Sequence, residues 1–329
     1  MHLYHPPVRR WQIYLEERLA EQVRLTYGPE LPAAPEYEVL VAGRPSRAAL
    51  EASPRLQTLV IPWAGLPEET RALLGDFPQL TVYNLHHNAT FVAEMTLALL
   101  LAAAKHLLPP DRALRRHDWT PRYGPNPAVH LAGKRALILG YGAIGQRVAR
   151  LCRCLGMEVH ALRHRVRPGD DPAFIHPPEA LDALLPRSDV LIVALPHTEE
   201  TTGLIGAPEL ARLPARAILV NVARGPIVDE EALFVALRDG TLHAAAIDVW
   251  YNYPAGKDAG YGVEEARVHT PPSTYPFHDL DNVVLSPHRA GGLGTDAVEE
   301  ARVHDLAELL NALARGEAPS NRVRVERGY

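Results

Sequence analysis

The sequence predicts an α/β protein built on two parallel sheets, and three observations carry that reading. At 329 residues the chain exceeds the roughly 100–200 residues of a single domain, so two domains are expected. Short apolar β-type runs alternate with helical stretches along most of its length, the pattern of strand–helix–strand units. A glycine-rich turn, Gly140-Tyr141-Gly142-Ala143-Ile144-Gly145, stands directly between an apolar strand and a helix.

The elements follow in order. Val39–Val41 before Gly43, residues 59–61 before Pro62 and residues 81–83 before Asn84 are the strands of the first region. Residues 46–52, with Ser46 as N-cap, and 68–74 are crossover helices between them. Parallel strands connected in this way end on one edge. The loops 62–67 and 85–89 then lie where open α/β sheets bind ligands. The apolar stretch 91–104 contains Glu94 and is shorter than the ~20 residues of a bilayer span, so it reads as a buried helix. A polar, proline-rich passage over 109–133, with a short helix at 112–117, leads to a second alternation. Its strands are expected at 135–139, 158–162, 190–195, 217–221, 244–249 and 282–285, and a long amphipathic helix over 295–315 follows the last of them.

Composition narrows the function classes. Lys+Arg 34 against Asp+Glu 39 gives a net charge of −5 with no basic block, so nucleic acid is not an expected partner. A hydrophobic share of 47% with 22% charged residues is ordinary for a soluble globular chain. Lys105, Lys134 and Lys257 are the only lysines, and the 30 prolines are nearly twice the usual share of about 5%. That skew reflects lineage or stiff loops rather than chemistry. Cys152 and Cys154 stand two apart in predicted helix and face different ways, which excludes a disulfide framework and a thiolate zinc site and suits a reducing cytoplasm. Residues 1–11 lack the apolar core of a secretory signal, and no membrane association is expected.

The glycine turn is the first motif with chemistry. Gly140 permits a tight turn, Gly142 lets backbone approach a pyrophosphate, Gly145 lets the helix lie close to the sheet, and the helix N-terminus offers N–H donors. An acid at the end of the next strand would accept the ribose hydroxyls of NAD. Here Arg163 occupies that place, followed by His164 and Arg165, so NADP is the favoured cofactor and NAD the alternative.

Further motifs complete a set. They are Val220-Asn221-Val222-Ala223-Arg224-Gly225-Pro226-Ile227-Val228-Asp229, Leu195-Pro196-His197-Thr198, Ala246-Ile247-Asp248-Val249-Trp250 and Ser286-Pro287-His288. With the glycine turn, and in this order over about residues 80–292, the chain resembles the D-isomer-specific 2-hydroxyacid dehydrogenase family. The resemblance implies two doubly wound parallel-sheet domains: a Rossmann nucleotide-binding domain over 105–292, inserted in a flavodoxin-like substrate domain formed by 1–104 and 293–329. It implies that Arg224 clamps a small 2-oxo acid through carboxylate and carbonyl, and that His288 is the general acid/base. It places Asp248 on the nicotinamide carboxamide, Ala143 and Ile144 on the pyrophosphate, and Pro196, Asn221, Val222 and Ala223 along the cofactor groove. Trp63, Ala64 and Gly65 fall on the loop that receives the substrate carboxylate, and Asn88 falls near the substrate. A homodimer through the nucleotide-binding domain is also implied. Neither His86-His87 nor any other cluster suggests a metal.

One departure stands out. The family's glutamate beside the histidine is Tyr253 in this chain, within Asp248-Val249-Trp250-Tyr251-Asn252-Tyr253-Pro254. Without that carboxylate, His288 is expected to titrate near its ordinary value of about 6.5. Either Tyr253, or one of Asp258, Glu264 and Glu265 from the long irregular insertion over 255–277 or Asp279 just after it, is left to orient it. Two alternatives therefore stand beside the 2-oxo acid reductase. One is a formate- or phosphite-type dehydrogenase of the same family, since formate enzymes carry an uncharged glutamine in place of that glutamate. The other is a dinucleotide-responsive binding protein or corepressor with weakened catalysis.

Overall fold

Val39, Leu40 and Val41 are consecutive and all buried, and a strand can bury successive side chains only when both faces of its sheet are covered. A computed structural model, which describes every residue except Ala33, Pro168, Pro172, 255–268, Leu293 and Tyr329, shows that covering in each of two units. One unit comprises Met1–Ala89 with Gly291–Tyr329, and the other Thr90–Ala290.

The first unit holds β1 (His2–Leu3), β2 (Thr26–Tyr27), β3 (Val39–Val41), β4 (Thr58–Ile61), β5 (Thr81–Asn84) and β13 (Arg322–Val323), in the order β13-β5-β4-β3-β1-β2. All pairings are parallel except that of β13, which adds antiparallel to β5. Leu40, Leu59, Ile61 and Val82 face helices α2 (Arg47–Glu51) and α3 (Glu68–Leu74) in one core layer. Val39, Val41, Val60 and Tyr83 share the other layer with Leu15 of α1 (Arg9–Glu16) and with Val303, Leu306 and Leu310 of a long C-terminal helix, Asp296–Ala314. Ser46 caps α2 as expected, accepting the Ala49 N–H at 3.1 Å. The sequence reading lacked β1, β2, α1 and β13. Two-residue strands carry no readable period, and α1 exposes most of an arginine- and glutamate-bearing surface.

The second unit holds β6 (Arg135–Leu139), β7 (Glu158–Leu162), β8 (Ile175–His176), β9 (Val190–Val193), β10 (Ile218–Asn221), β11 (Ala244–Ile247) and β12 (Val283–Leu285). The sheet is wholly parallel, in the order β12-β11-β10-β9-β6-β7-β8. Strand order reverses between β6 and β9, which opens a crevice at the carboxyl ends of these two strands. One face packs on α4 (Ala89–Ala104) and α6 (Ala143–Cys154); the other packs on α7 (Leu181–Leu184), α8 (Ala207–Arg212) and α9 (Glu230–Arg238).

Three sequence expectations shift here. The apolar helix α4, placed before the division at residue 104, lies in the second unit from Thr90 onward, because Val92, Leu99, Leu100 and Ala103 pack with Ile138, Val190 and Ile192. The short helix of the proline-rich passage begins at Leu108 and ends at Leu114 (α5), with prolines in its first turn, where a missing N–H has no intrahelical partner to lose. The expected N-terminal residue of strand β12, Asn282, instead donates through its side chain to Leu237 O and His243 O. No single described helix is long and apolar enough to cross a membrane.

The C-terminal helix α10 (Asp296–Ala314) is pinned within the first unit by buried Asn311. Its Oδ1 accepts the Ala20 N–H and its Nδ2 donates to Arg18 O, both at 2.8 Å. Asn311→Ala leaves both backbone groups without these partners and is expected to cost about 1–3 kcal/mol of stability, measured by urea unfolding.

Candidate functional site

The glycine turn meets three different demands. Gly140 has φ +102°, and a Cβ there would lie 2.5 Å from the Ala194 carbonyl oxygen. A Cβ on Gly145 would overlap the Gly140 carbonyl oxygen. Gly142, the N-cap of α6, has nothing within 4 Å of its absent Cβ, and no side chain caps the helix there. Two glycines are thus required by crowding, and the third leaves an open approach to the uncapped first turn formed by Ala143 and Ile144. That cradle fits a dinucleotide pyrophosphate, since it offers N–H donors and a positive dipole end with no side chain in the way. Pro196 follows β9 on the neighbouring loop, and its carbonyl accepts the Thr201 hydroxyl at 2.9 Å.

Arg163 follows β7 directly, and the Gly140 N–H donates to Leu162 O at 3.1 Å, so the arginine stands beside the glycine turn. Its guanidinium is not solvent-facing. The side chain is 11% exposed, Nη1 donates to both carboxylate oxygens of Asp170 at 2.9 and 3.0 Å, and Cζ lies 5.8 Å from the Tyr141 ring centroid. The Arg167 N–H, followed by Arg163, holds the Asp170 carboxyl below the usual carboxylate range despite desolvation. His164 is exposed.

Arg224 and His288 stand on loops at the carboxyl ends of β10 and β12. Buried Asn221 braces the first loop, donating from Nδ2 to Arg224 O at 3.0 Å and accepting the Ala223 N–H at 3.1 Å. The Arg224 side chain bends back so that Nη1 reaches Ala223 O at 2.6 Å. Val222 and Ala223 are buried beneath the groove assigned to them. The second loop is held by Asp248, which is fully buried. Its Oδ1 accepts the Ser286 hydroxyl and the Arg289 N–H (2.8 Å), and its Oδ2 accepts the Ala290 N–H at 3.0 Å. The resemblance assigned Asp248 to the nicotinamide carboxamide; in the structure its carboxylate also holds the loop that carries His288. Trp250 adds an indole N–H to Ser286 O at 2.8 Å.

His288 occupies the left-handed region at φ +56°, a conformation that is costly for a residue with a side chain. Its pKa lies below the ordinary imidazole value: desolvation contributes most, then the Arg224 guanidinium, while Asp248 acts in the opposite direction. This corrects the expectation of an unshifted histidine. Tyr253 lies against it, with ring centroids 5.5 Å apart, but the phenol oxygen accepts the Trp250 N–H at 3.1 Å instead of meeting the imidazole. Asp279 neighbours His278 at 3.6 Å. Asp258, Glu264 and Glu265 lie outside the described residues. Among the described residues no carboxylate bonds to the His288 ring.

The described end of the insertion is anchored by Glu230, which accepts from the Ser273 hydroxyl (2.6 Å), the Thr274 N–H (2.9 Å) and the Thr274 hydroxyl (3.0 Å). Asp229 beside it caps α9, accepting the Ala232 N–H at 2.8 Å.

In the first unit, Trp63, Ala64 and Gly65 form the loop after β4. The Trp63 indole covers Gly43 so closely that a Cβ there would overlap it, and the Arg44 guanidinium lies 5.7 Å from the ring centroid. Gly65 has φ +84°. Among the described residues the N–H groups of Ala64 and Gly65 have no backbone acceptor. After β5, His87 Nδ1 and Asn88 Oδ1 are buried without a hydrogen-bond partner among the described residues. Burial, then Arg302 and His86, push the His87 pKa down to about 4, so its ring is neutral at neutral pH.

Known proteins resemble this chain in sequence and in fold. Residues 97–290 match the family model described as D-isomer specific 2-hydroxyacid dehydrogenase, NAD binding domain. A glyoxylate reductase of Aeropyrum pernix is 38% identical over 240 residues, covering 71% of this chain and 66% of that protein. A D-3-phosphoglycerate dehydrogenase of Mycobacterium leprae is 31% identical over 314 residues, 93% of this chain but 56% of that protein. The chain therefore spans under two thirds of the length of these relatives. A crystal structure of a D-isomer specific 2-hydroxyacid dehydrogenase from Xanthobacter autotrophicus Py2, in complex with NADPH and MES, superposes with TM-score 0.75 at 26% identity and covers 100% of both chains.

Asp248→Ala leaves the Ser286 hydroxyl, the buried Ala290 N–H and the part-buried Arg289 N–H without their acceptor. A loss of about 3 kcal/mol or more is expected in urea unfolding, far above the ~1 kcal/mol of a typical substitution.

Proposed function

The chain belongs to the D-isomer specific 2-hydroxyacid dehydrogenase family, and from that premise we propose that it reduces a small 2-oxo acid to the D-2-hydroxy acid with NADP(H), and catalyses the reverse oxidation. The observation that carries this reading is the pairing, within one unit, of an arginine braced by Asn221 with a partly desolvated histidine seated by Asp248.

Arg224 supplies the clamp. Only Nη1 is committed to Ala223 O among the described residues, which leaves the rest of the planar guanidinium for the carboxylate and carbonyl oxygens of a 2-oxo acid. His288 donates a proton to that carbonyl oxygen on reduction and removes it on oxidation. A nicotinamide dinucleotide would be held by Gly142, Ala143 and Ile144 at its pyrophosphate, with Pro196, Asn221, Val222 and Ala223 along its groove, and when bound would supply or take up the hydride. The N–H groups of Ala64 and Gly65 are suited to receive a carboxylate, and Asn88 carries an unsatisfied acceptor for a substrate hydroxyl or amide. Preference for NADP rests on Arg163 and His164 in place of an acid. The unpaired cysteines are compatible with a reducing cytoplasm. We assign homodimer contacts to the second unit, where Leu107, Leu114, Trp119 and Tyr123 are exposed in one stretch.

The second reading, a dinucleotide-responsive binding protein with weakened catalysis, draws on the neutral Tyr253 where a carboxylate would support His288. The purified protein is assayed with glyoxylate, hydroxypyruvate, pyruvate and phenylpyruvate, following NADPH and NADH. Turnover is expected, with Arg224→Ala and His288→Ala each lowering kcat/KM by about 100-fold or more. Cofactor binding without turnover favours the second reading, and reduction of NADP by formate or phosphite favours that branch of the family.

The pH dependence follows from the sign of the histidine shift. The protonated imidazole is the acid for reduction, and its pKa is lowered, so the reductive kcat/KM is highest in acid and falls as pH rises through a value below 6.5. Oxidation keeps its base down to the same low pH. Tyr253→Glu adds an anion beside the ring and is expected to move both limbs to higher pH, measured as pH profiles in each direction.

A further inference from the structure

Arg163, the residue on which the NADP reading rests, is already paired in a nearly buried contact: the side chains of Arg163 and Asp170 are 11% and 12% exposed. Both carboxylate oxygens converge on one nitrogen, Nη1, and the Tyr141 ring flanks the guanidinium. Asp170 is itself fixed, because its Oδ2 accepts the Arg167 N–H at 2.7 Å and its own N–H donates to Arg167 O at 3.0 Å. Neighbouring Asp171 turns away to cap Ala173, accepting its N–H at 2.9 Å. Arg165 and Arg167 are exposed.

A carboxylate so placed is an internal stand-in for an anionic ligand. It meets the guanidinium as a phosphate would, and a phosphate brought to the same arginine meets a fixed like charge beside it. We infer that Asp170 is a selectivity-determining residue, which competes with the cofactor 2′-phosphate for Arg163 and so restrains the preference for NADP(H) over NAD(H). The inference rests on the assignment of Arg163 to the 2′-phosphate. Asp170 acts through Arg163 and touches no reacting atom. Its removal therefore alters cofactor affinity and KM, with kcat unchanged.

Asp170→Asn tests this, because the amide oxygen still accepts the Arg167 N–H while the charge is gone. Binding to the whole protein is followed by calorimetry with two fragments, 2′,5′-ADP and 5′-AMP. Asp170→Asn is expected to tighten 2′,5′-ADP by about tenfold and leave 5′-AMP within about twofold, with a matching fall in KM for NADPH and none for NADH. Unchanged or weaker 2′,5′-ADP binding overturns the inference. Arg163→Ala separates the two levels. If it abolishes the advantage of 2′,5′-ADP over 5′-AMP while Asp170→Asn has no effect, the role of Asp170 falls and the NADP reading stands. If Arg163→Ala has no effect either, both fall. Asp170→Ser provides a second variant should the asparagine disturb the turn, and unaltered 5′-AMP affinity certifies that the site is intact in each.

Discussion

A buried carboxylate organises the carboxyl edge of the sheet in the second unit. Asp248 directly follows β11 with no exposed surface, where an ionised group is tolerated only if its oxygens are satisfied. Ser286, Arg289 and Ala290 satisfy them, and all three belong to the loop that follows β12. The need to solvate one anion thus fixes the course of a loop. Main-chain bonds complete the join, with Asp248 N–H on Asn221 O at 3.0 Å and Ser286 N–H on Ile247 O at 2.9 Å, so the loops after β10, β11 and β12 form one connected rim.

That connection makes sense of the backbone at His288. A left-handed histidine costs about 1–3 kcal/mol and persists only where its surroundings over-determine it. The Asp248 bonds to Ser286 on one side and to Arg289 and Ala290 on the other supply that determination. The imidazole thus leaves a fixed stretch of main chain with the Tyr253 ring against it. What the phenol does not provide is charge, and Arg224 nearby pushes the histidine further toward its neutral form. Placement and proton affinity, which a single glutamate would set together, are set here by different groups.

Much of the fold was legible because its longer strands are apolar runs with turn residues at their ends, as in Arg135–Leu139 and Glu158–Leu162, whose bounds matched. The failures have physical causes. His2–Leu3 and Thr26–Tyr27 are strands only because β3 offers an edge, directly to the first and through it to the second; nothing local marks them. Helix α4 reads as apolar all round, and such a helix does not reveal which of two cores buries it. At the site, Arg224, His288, Asn221 and the three glycines were visible because each stands inside a motif readable along the chain. Ser286 stood inside a motif without a role, and Asp170 and Glu230 were missed as partners. Their contacts are tertiary: a carboxylate 7 residues from Arg163 and another 43 residues from Ser273 carry no signal in spacing.

The claim that Asp248 seats the His288 loop is tested most directly by amide hydrogen exchange at Arg289 and Ala290 in the unaltered protein. If the buried carboxylate holds both N–H groups, they exchange only through the opening that also exposes β11 and β12, at rates matching the slow amides of those strands. Exchange as fast as in an unstructured loop, while the strands remain protected, would contradict it.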